Sequence, residues 1–164
     1  MPWLRTFILF AIFTLTTQSA SAADIHWLWD QRCGGCHDHA GQFARKSLVV
    51  IDEKLRARRG GKDVETLLLT HNGGYSPQDI NAIRSMLLAQ ATTPALFKTK
   101  CGNCHQTAAQ LVREQLVSRD GQLYGRYSHR LMADFLPQHR QMKPEDTALL
   151  LDVLTRIESE VHQP

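Results

Sequence analysis

Every cysteine of this 164-residue chain lies in one of two Cys-x-x-Cys-His segments, residues 33–37 and 101–105. This pentapeptide is the attachment signature of c-type haem. The two thiols form thioether bonds to the two vinyl groups of one haem, and the adjacent histidine binds the iron from one face. The spacing predicts two covalently bound haem c groups. The predicted attachment residues are Cys33, Cys36, His37, Cys101, Cys104 and His105.

Two other kinds of site also contain Cys-x-x-Cys, namely redox dithiols and half of a zinc site. In this chain a histidine directly follows each cysteine pair, and no further cysteine is present. Haem attachment is the interpretation that uses all of these residues.

The first 22 residues have the three parts of a secretory signal peptide. Arg5 supplies the positive charge, residues 7–15 form an apolar core, and Ala20-Ser21-Ala22 is a cleavage site. A membrane-spanning helix needs about 20 apolar residues, so a retained membrane anchor is the weaker alternative. We expect cleavage near Ala22, export to the periplasm and no membrane span in the mature chain.

An internal repeat relates two halves of the chain at an offset of 68 residues. Of the 39 positions from 33 to 71, 14 are identical to the residue 68 positions later. The pairs include Ala40/Ala108, Gln42/Gln110, Arg45/Arg113, Leu48/Leu116, Asp52/Asp120, Leu55/Leu123, Arg58/Arg126 and His71/His139. The repeat predicts a signal peptide at 1–22, haem domain 1 at 23–91 (half one) and haem domain 2 at 92–164 (half two).

The charge of the chain excludes one class of partner. Removal of the signal peptide leaves 18 basic and 16 acidic residues, a net charge of +2 that the propionates of two haems would offset. This is not the strongly basic balance of a nucleic-acid-binding protein. Arg45/Arg113 and Arg58/Arg126 recur in both halves, which favours contact between these side chains and haem propionates.

The hydrophobic spacing predicts an all-α fold, with helices before and after each haem motif. Asp24 and Thr93 are expected to cap the first helix of each half, and Pro77 and Pro144 to begin the last. After the first haem motif, apolar residues recur at helical spacing over 40–55, which predicts one long helix. Long alternating patterns typical of strands are absent from the sequence.

The layout resembles a dihaem member of the small cytochrome c family. Trp29 and Phe97, each four residues before a first cysteine, match the aromatic residue that packs the N-terminal helix of this family against the C-terminal one. The resemblance implies two tandem cytochrome c-like haem domains. Members with one haem have a distal methionine before the final helix. Half one has none there, because Met86 falls inside the predicted last helix and is expected in the core.

The repeat selects His71 and His139 as the sixth ligands of the two irons. His71 lies 34 residues after His37, and His139 lies 34 residues after His105. Histidines at equal distances from duplicated haem motifs are better explained as ligands than as unrelated surface residues. The predicted iron ligands are His37, His71, His105 and His139.

Other candidates for the sixth ligand remain. His39 is too close to His37 to reach the opposite haem face, and His26 is expected to be solvent-exposed. In half two, Met142 lies just before Pro144, where a family methionine would be expected, and His129 is a further alternative.

Two functions compete at this point. Two axial imidazoles saturate the iron, which suits an electron carrier without catalytic residues, either free or as the small electron-transfer subunit of an oxidoreductase. Its partners would be redox proteins, namely a periplasmic or inner-membrane donor and a periplasmic acceptor. The alternative is a haem enzyme or ligand-binding sensor with one open or exchangeable haem, such as a small dihaem peroxidase.

Overall fold

A computed structural model of the protein describes residues 24–162. The predicted signal peptide, residues 1–22, lies outside them. Within residues 24–162, no helix is both long enough and apolar enough to cross a membrane.

Half one contains two groups of elements. The first comprises α1 (Ile25–Arg32), the single-turn α2 (Gly34–His37), α3 (Ala40–Ser47) and a hairpin of β1 (Leu48–Ile51) and β2 (Lys54–Ala57). The second comprises α4 (Val64–Leu68), a 3-10 turn (His71–Gly73) and α5 (Pro77–Thr92).

Half two repeats this order with small changes. Its elements are α6 (Leu96–Lys100), α7 (Ala108–Gln115), β3 (Leu116–Arg119), β4 (Gln122–Gly125), α8 (Met132–Arg140) and α9 (Pro144–Val161). The α8 helix continues through His139, whereas His71 lies in a separate 3-10 turn after α4. The two predicted sixth ligands therefore stand on different local backbones.

The all-α prediction is wrong in one respect, because the long helix predicted for residues 40–55 ends at Ser47. The chain then forms an antiparallel hairpin in which Leu48 pairs with Ala57. Leu48 and Leu55 are buried, as helical spacing also required, but they are buried as strand residues. A second antiparallel hairpin, β3–β4, follows α7. The described chain is mostly helical with two small two-stranded sheets.

Helix starts are confirmed at three of the four predicted positions. The Asp24 carboxylate accepts a backbone N–H as the N-cap of α1, and α5 and α9 begin at Pro77 and Pro144. The prediction for Thr93 is wrong, because α6 begins later, at Leu96.

Each half has its own hydrophobic core, to which its last helix contributes four buried residues. In half one, Trp29, Ile83 and Met86 belong to this core, and Met86 is buried as predicted. In half two, Leu150 and Leu154 of α9 form the equivalent layer. Helix α1 contacts both α5 and α9, so the first helix of half one also packs against half two.

Candidate functional site

A single helical turn presents the first haem motif. The backbone N–H groups of Cys36 and His37 donate to the carbonyl of Cys33 at 3.1 and 2.9 Å. Residues four apart in a helical turn share one face, so Cys33 and His37 point to the same side. The equivalent distances in residues 101–105 are 3.0 and 2.9 Å. No disulfide joins any of the four cysteines.

The structure brings each proximal histidine next to its predicted distal partner. The ring centroids of His37 and His71 are 5.7 Å apart, and those of His105 and His139 are 6.5 Å apart. Two imidazoles that bind one metal ion through nitrogen, at about 2.0 Å each, have centroids roughly 6 Å apart. Both pairs therefore have the separation that two axial ligands of one iron require.

Both histidine pairs lie at cavities with mainly apolar walls. The cavity of half one is about 250 Å³, and its apolar lining includes Trp29, Phe43, Leu48, Leu67 and Leu68. The cavity of half two is about 740 Å³, with Phe97, Leu111, Leu116, Phe135 and Leu136 among its lining residues. Cofactor pockets typically span about 300–1,000 Å³. The donor sets of both halves are those that a haem c requires. The cavity of half two lies within this range of volumes, whereas that of half one lies below it.

The electrostatic surroundings of His37 suit a metal ligand. Burial lowers the pKa of His37, and the nearby His71 lowers it further. A lowered pKa keeps the imidazole neutral near pH 7, and the neutral form is the one that binds metals.

Neither alternative sixth ligand of half two faces the imidazole pair. Met142 is buried in the core of half two, outside the lining of the cavity between His105 and His139. His129 is exposed in a loop, with a positive φ of 54°.

The prediction that His26 is solvent-exposed is wrong. His26 is only 6% exposed, and its Nε2 lies 2.7 Å from the carboxylate of Glu160 in α9. Burial would raise the pKa of Glu160, but the hydrogen bond with His26 and the charge of Arg156 lower it overall. The pair joins the first helix of half one to the last helix of half two.

The repeated arginines bind protein groups in the described structure. Arg113 forms an ion pair with Asp24 at 2.7 Å, which links the halves a second time. Arg45 donates to the carbonyl of Gln90 at 3.2 Å, near the end of α5. Both side chains thus have protein partners in the described structure, and contact between the repeated arginines and haem propionates stays a prediction.

Sequence reasoning missed two aromatic contacts at the imidazole pairs. The ring centroid of Phe43 is 4.6 Å from that of His37, and Phe135 stacks on His139 at 4.7 Å. The repeat alignment could not find them as identities, because each phenylalanine aligns with a leucine in the other half.

The chain matches no model of a known protein family, no curated protein and no solved structure. Within residues 24–162, no three His, Cys, Asp or Glu side chains converge as a site for a bare metal ion.

Proposed function

We propose that the chain is a periplasmic dihaem cytochrome c that carries electrons between redox proteins, either free or as the small subunit of an oxidoreductase. One observation carries the proposal. The histidine of each Cys-x-x-Cys-His segment lies beside a second histidine, with ring centroids 5.7 Å apart in half one and 6.5 Å apart in half two. This double arrangement supports one six-coordinate iron in each of two cytochrome c-like domains.

The residues of each half have distinct tasks in this proposal. The bound haem supplies one-electron chemistry through its iron. The cysteines would hold the haem covalently, and His37 with His71, and His105 with His139, would supply the two remaining ligands of each iron, leaving no position for a substrate. Apolar side chains dominate the walls of both cavities, and the polarity of its surroundings tunes the potential of a haem.

The exposure of the motifs supports exchange of electrons with partner proteins. Cys36 and Cys104, the second cysteine of each motif, are exposed, whereas Cys33 is buried. Cys101 is half-buried, so both segments reach the surface of their half, and that of half one also reaches the interior. This position suits outer-sphere transfer from a periplasmic or inner-membrane donor and to a periplasmic acceptor.

Mass spectrometry and carbon monoxide binding test the proposal together. The mature protein from its native host should have the mass of a chain that starts near Ala23 plus two haems. As a matched control, Cys33→Ala combined with Cys36→Ala should retain one haem, held by half two. A wild-type mass with fewer than two haems would contradict the proposal.

The ferrous wild-type protein should show little change of its visible spectrum under CO, because both irons already have six ligands. Substantial CO binding by the wild type at one haem would instead favour the alternative, a haem enzyme or ligand sensor with an open site.

A further inference from the structure

The residue after each predicted distal histidine makes a side-chain hydrogen bond to the start of its haem motif. In half one, Nδ2 of Asn72 donates to the carbonyl of Arg32 at 2.9 Å. Arg32 is the last residue of α1 and directly precedes Cys33. The hydrogen bond therefore connects the segment that carries His71 to the segment that carries the cysteines.

Half two has the same connection at the equivalent residues. Nε of Arg140 donates to the carbonyl of Lys100 at 3.0 Å. Lys100 is the last residue of α6 and directly precedes Cys101, and Arg140 directly follows His139. Donor and acceptor are 40 residues apart in both halves.

The connection is kept although almost everything else about the two donors differs. Asn72 has a φ of 51° within a 3-10 turn, whereas Arg140 is the last residue of α8. One donor is a neutral amide and the other a guanidinium. A contact that two different side chains make from two different backbones is not a by-product of shared local structure, which points to a common task.

The acceptor of each hydrogen bond, the carbonyl of Arg32 or Lys100, can fix the position of the segment that carries the predicted distal histidine. The carbonyl of the last residue of a helix has no intrahelical partner, so it is available to a side chain. Because the next residue is the first haem-attaching cysteine, this carbonyl is a fixed point beside the haem. A segment tied to it is held at a constant distance from the proximal side of the same site.

We propose that Asn72 and Arg140 are positioning residues that hold His71 and His139 on the two irons. This inference rests on the proposed function. The hydrogen bond in each half favours the state in which the distal imidazole is bound, and its loss raises the fraction of time for which that histidine is detached. CO, which competes with the histidine for ferrous iron, reports this fraction directly.

Half one has further contacts around its donor. Nδ2 of Asn72 also donates to the hydroxyl of Tyr75 at 3.3 Å, and this hydroxyl lies 3.5 Å from Sγ of Cys33. The guanidinium of Arg32 donates to the backbone carbonyl of Asn72 at 3.4 Å. In half two, Lys143 occupies the repeat position of Tyr75. We therefore expect loss of the donor to have the larger effect in half two.

Asn72→Asp is the test in half one. Aspartate tolerates the positive φ of this position as asparagine does, but its carboxylate has no N–H to donate. In the purified two-haem protein, the apparent CO affinity of haem one should rise about fivefold, the effect of one lost hydrogen bond. The affinity of haem two should not change. An unchanged CO affinity of haem one would overturn the role of Asn72.

Arg140→Met and Arg140→Lys form the matched pair in half two. Methionine reaches only as far as Nε of arginine and has no N–H to donate, so the CO affinity of haem two should rise by more than the factor of about five expected for haem one. Lysine keeps an N–H donor and the charge, and should restore the wild-type affinity. Equal affinities in the wild type and Arg140→Met, or no rescue by lysine, would overturn the role of Arg140.

Two controls separate positioning from general loss of stability. Gln138→Ala changes an exposed residue beside His139 that has no part in the hydrogen bond. Val112→Ala removes volume from the core of half two outside the cavity. Both should leave CO affinity unchanged, although Val112→Ala lowers the unfolding temperature. A rise in CO affinity in Val112→Ala as large as in Arg140→Met would overturn the inference, because any destabilisation would then suffice.

Failure of this inference is distinct from failure of the proposed function. If the wild-type mass lacks two haems, the proposed function is wrong before any variant is compared. If the wild type carries two six-coordinate haems and Asn72→Asp and Arg140→Met bind CO as it does, only the positioning role is wrong. Should Asn72→Asp yield no holoprotein, the Arg140 pair decides on its own.

Discussion

The two halves place similar side chains on opposite sides of their imidazole pairs. In half one, Phe43 packs against His37, and Leu67, the repeat counterpart of Phe135, lines the same cavity. In half two the order is reversed, because Leu111 stands at the first position and Phe135 stacks on the distal His139. Each cavity thus keeps one phenylalanine and one leucine from these two positions.

The arginine at each cavity also stands at a different repeat position in the two halves. Arg59 lines the cavity of half one, and Tyr127 occupies the equivalent position in half two. Arg140 lines the cavity of half two, where half one has Asn72. Arg59 and Arg140 are both exposed, and their positions are not equivalent in the repeat. The difference teaches that each half has a phenylalanine and an arginine at its cavity, but at positions that the repeat does not relate.

The largest predicted effect concerns the histidines that the two halves share. His71→Ala should leave haem one high-spin and able to bind CO while haem two stays low-spin, and His139→Ala should do the reverse. Optical and paramagnetic resonance spectra of the purified variants measure this directly. Each change removes one of the two axial ligands, so the conversion of that haem should be nearly complete.

Met142→Ala is the matched control for His139→Ala. Because Met142 lies in the core of half two, away from the imidazole pair, its loss should lower stability without opening haem two. If Met142→Ala opens haem two and His139→Ala does not, the equivalence of the two halves fails. Haem two is then ligated by His105 and Met142, and its potential should exceed that of haem one.

The second prediction concerns a contact between the halves that has no repeat counterpart. His26 pairs with Glu160 at 2.7 Å, but the repeat position of His26 in half two is Pro94. His26→Ala should lower the free energy of unfolding by about 2 kcal/mol, since a largely buried hydrogen bond to a carboxylate is lost. Denaturant titration measures this change, and His39→Ala, an exposed histidine of the same half, is the control.

The same pair predicts a pH dependence. The pKa of Glu160 is lowered in the folded protein, so the carboxylate contributes stability above its ordinary pKa. That contribution is lost as the pH falls from the ordinary pKa through the lowered one. In His26→Ala the pKa of Glu160 lies closer to its ordinary value, so the loss of stability on acidification should be smaller. An equally steep acid loss in both proteins would contradict the link between His26 and Glu160.

The sequence could pair His71 with His37 and His139 with His105 because the duplication gives each candidate ligand a counterpart in the other half. His71 and His139 recur at one offset from the motifs, and geometry brings each beside its proximal partner. The repeat could not identify Asn72 and Arg140, because an alignment detects identical residues. These two differ in type and have in common only that each donates to the equivalent backbone carbonyl of its half. Their role depends on the position of a backbone carbonyl, which no residue type reveals.

The hairpins were missed although one signal was present. Asp120-Gly121 forms the turn between β3 and β4 with φ values of 51° and 72°, and Asp-Gly is a strong hairpin signal. In half one the equivalent turn is Asp52-Glu53, which lacks glycine and hides the signal. The apolar residues before this turn also fit helical spacing. In so short a segment, only tertiary packing decides between a helix and a strand.

The third prediction tests the exchanged phenylalanines. Phe43→Leu and Phe135→Leu should each lower the free energy of unfolding by about 1 kcal/mol, because both remove ring carbons from packed surroundings. Only Phe135→Leu should raise the CO affinity of its haem, since Phe135 supports a distal histidine and Phe43 a proximal one. Adding Leu111→Phe to Phe135→Leu should recover stability but not the CO affinity of the wild type. Equal CO effects of Phe43→Leu and Phe135→Leu would show that the exchange between faces has no consequence.

The smallest predicted effect concerns the exchanged arginines. A positive charge near a haem disfavours the ferric state, which carries one more positive charge than the ferrous state, so it raises the reduction potential. Arg140 lines the cavity of half two together with Cys101 and His105, so its charge lies at the predicted attachment site. Arg59→Gln should lower the potential of haem one only, and Arg140→Gln that of haem two only.

Both arginines stand at the exposed rims of their cavities, where water screens charge, so each shift should be on the order of a few tens of mV. Arg59→Lys and Arg140→Lys keep the charge, so both potentials should differ from those of the wild type by only a small fraction of that shift. Spectroelectrochemical titration at low ionic strength resolves the two haems, and the shifts should shrink in 1 M salt because the Debye length falls to about 3 Å. If Arg59→Gln lowers both potentials equally, the arginine acts through the whole chain and does not belong to one site. The exchange of charge between the halves would then have no bearing on the order in which the two haems are reduced.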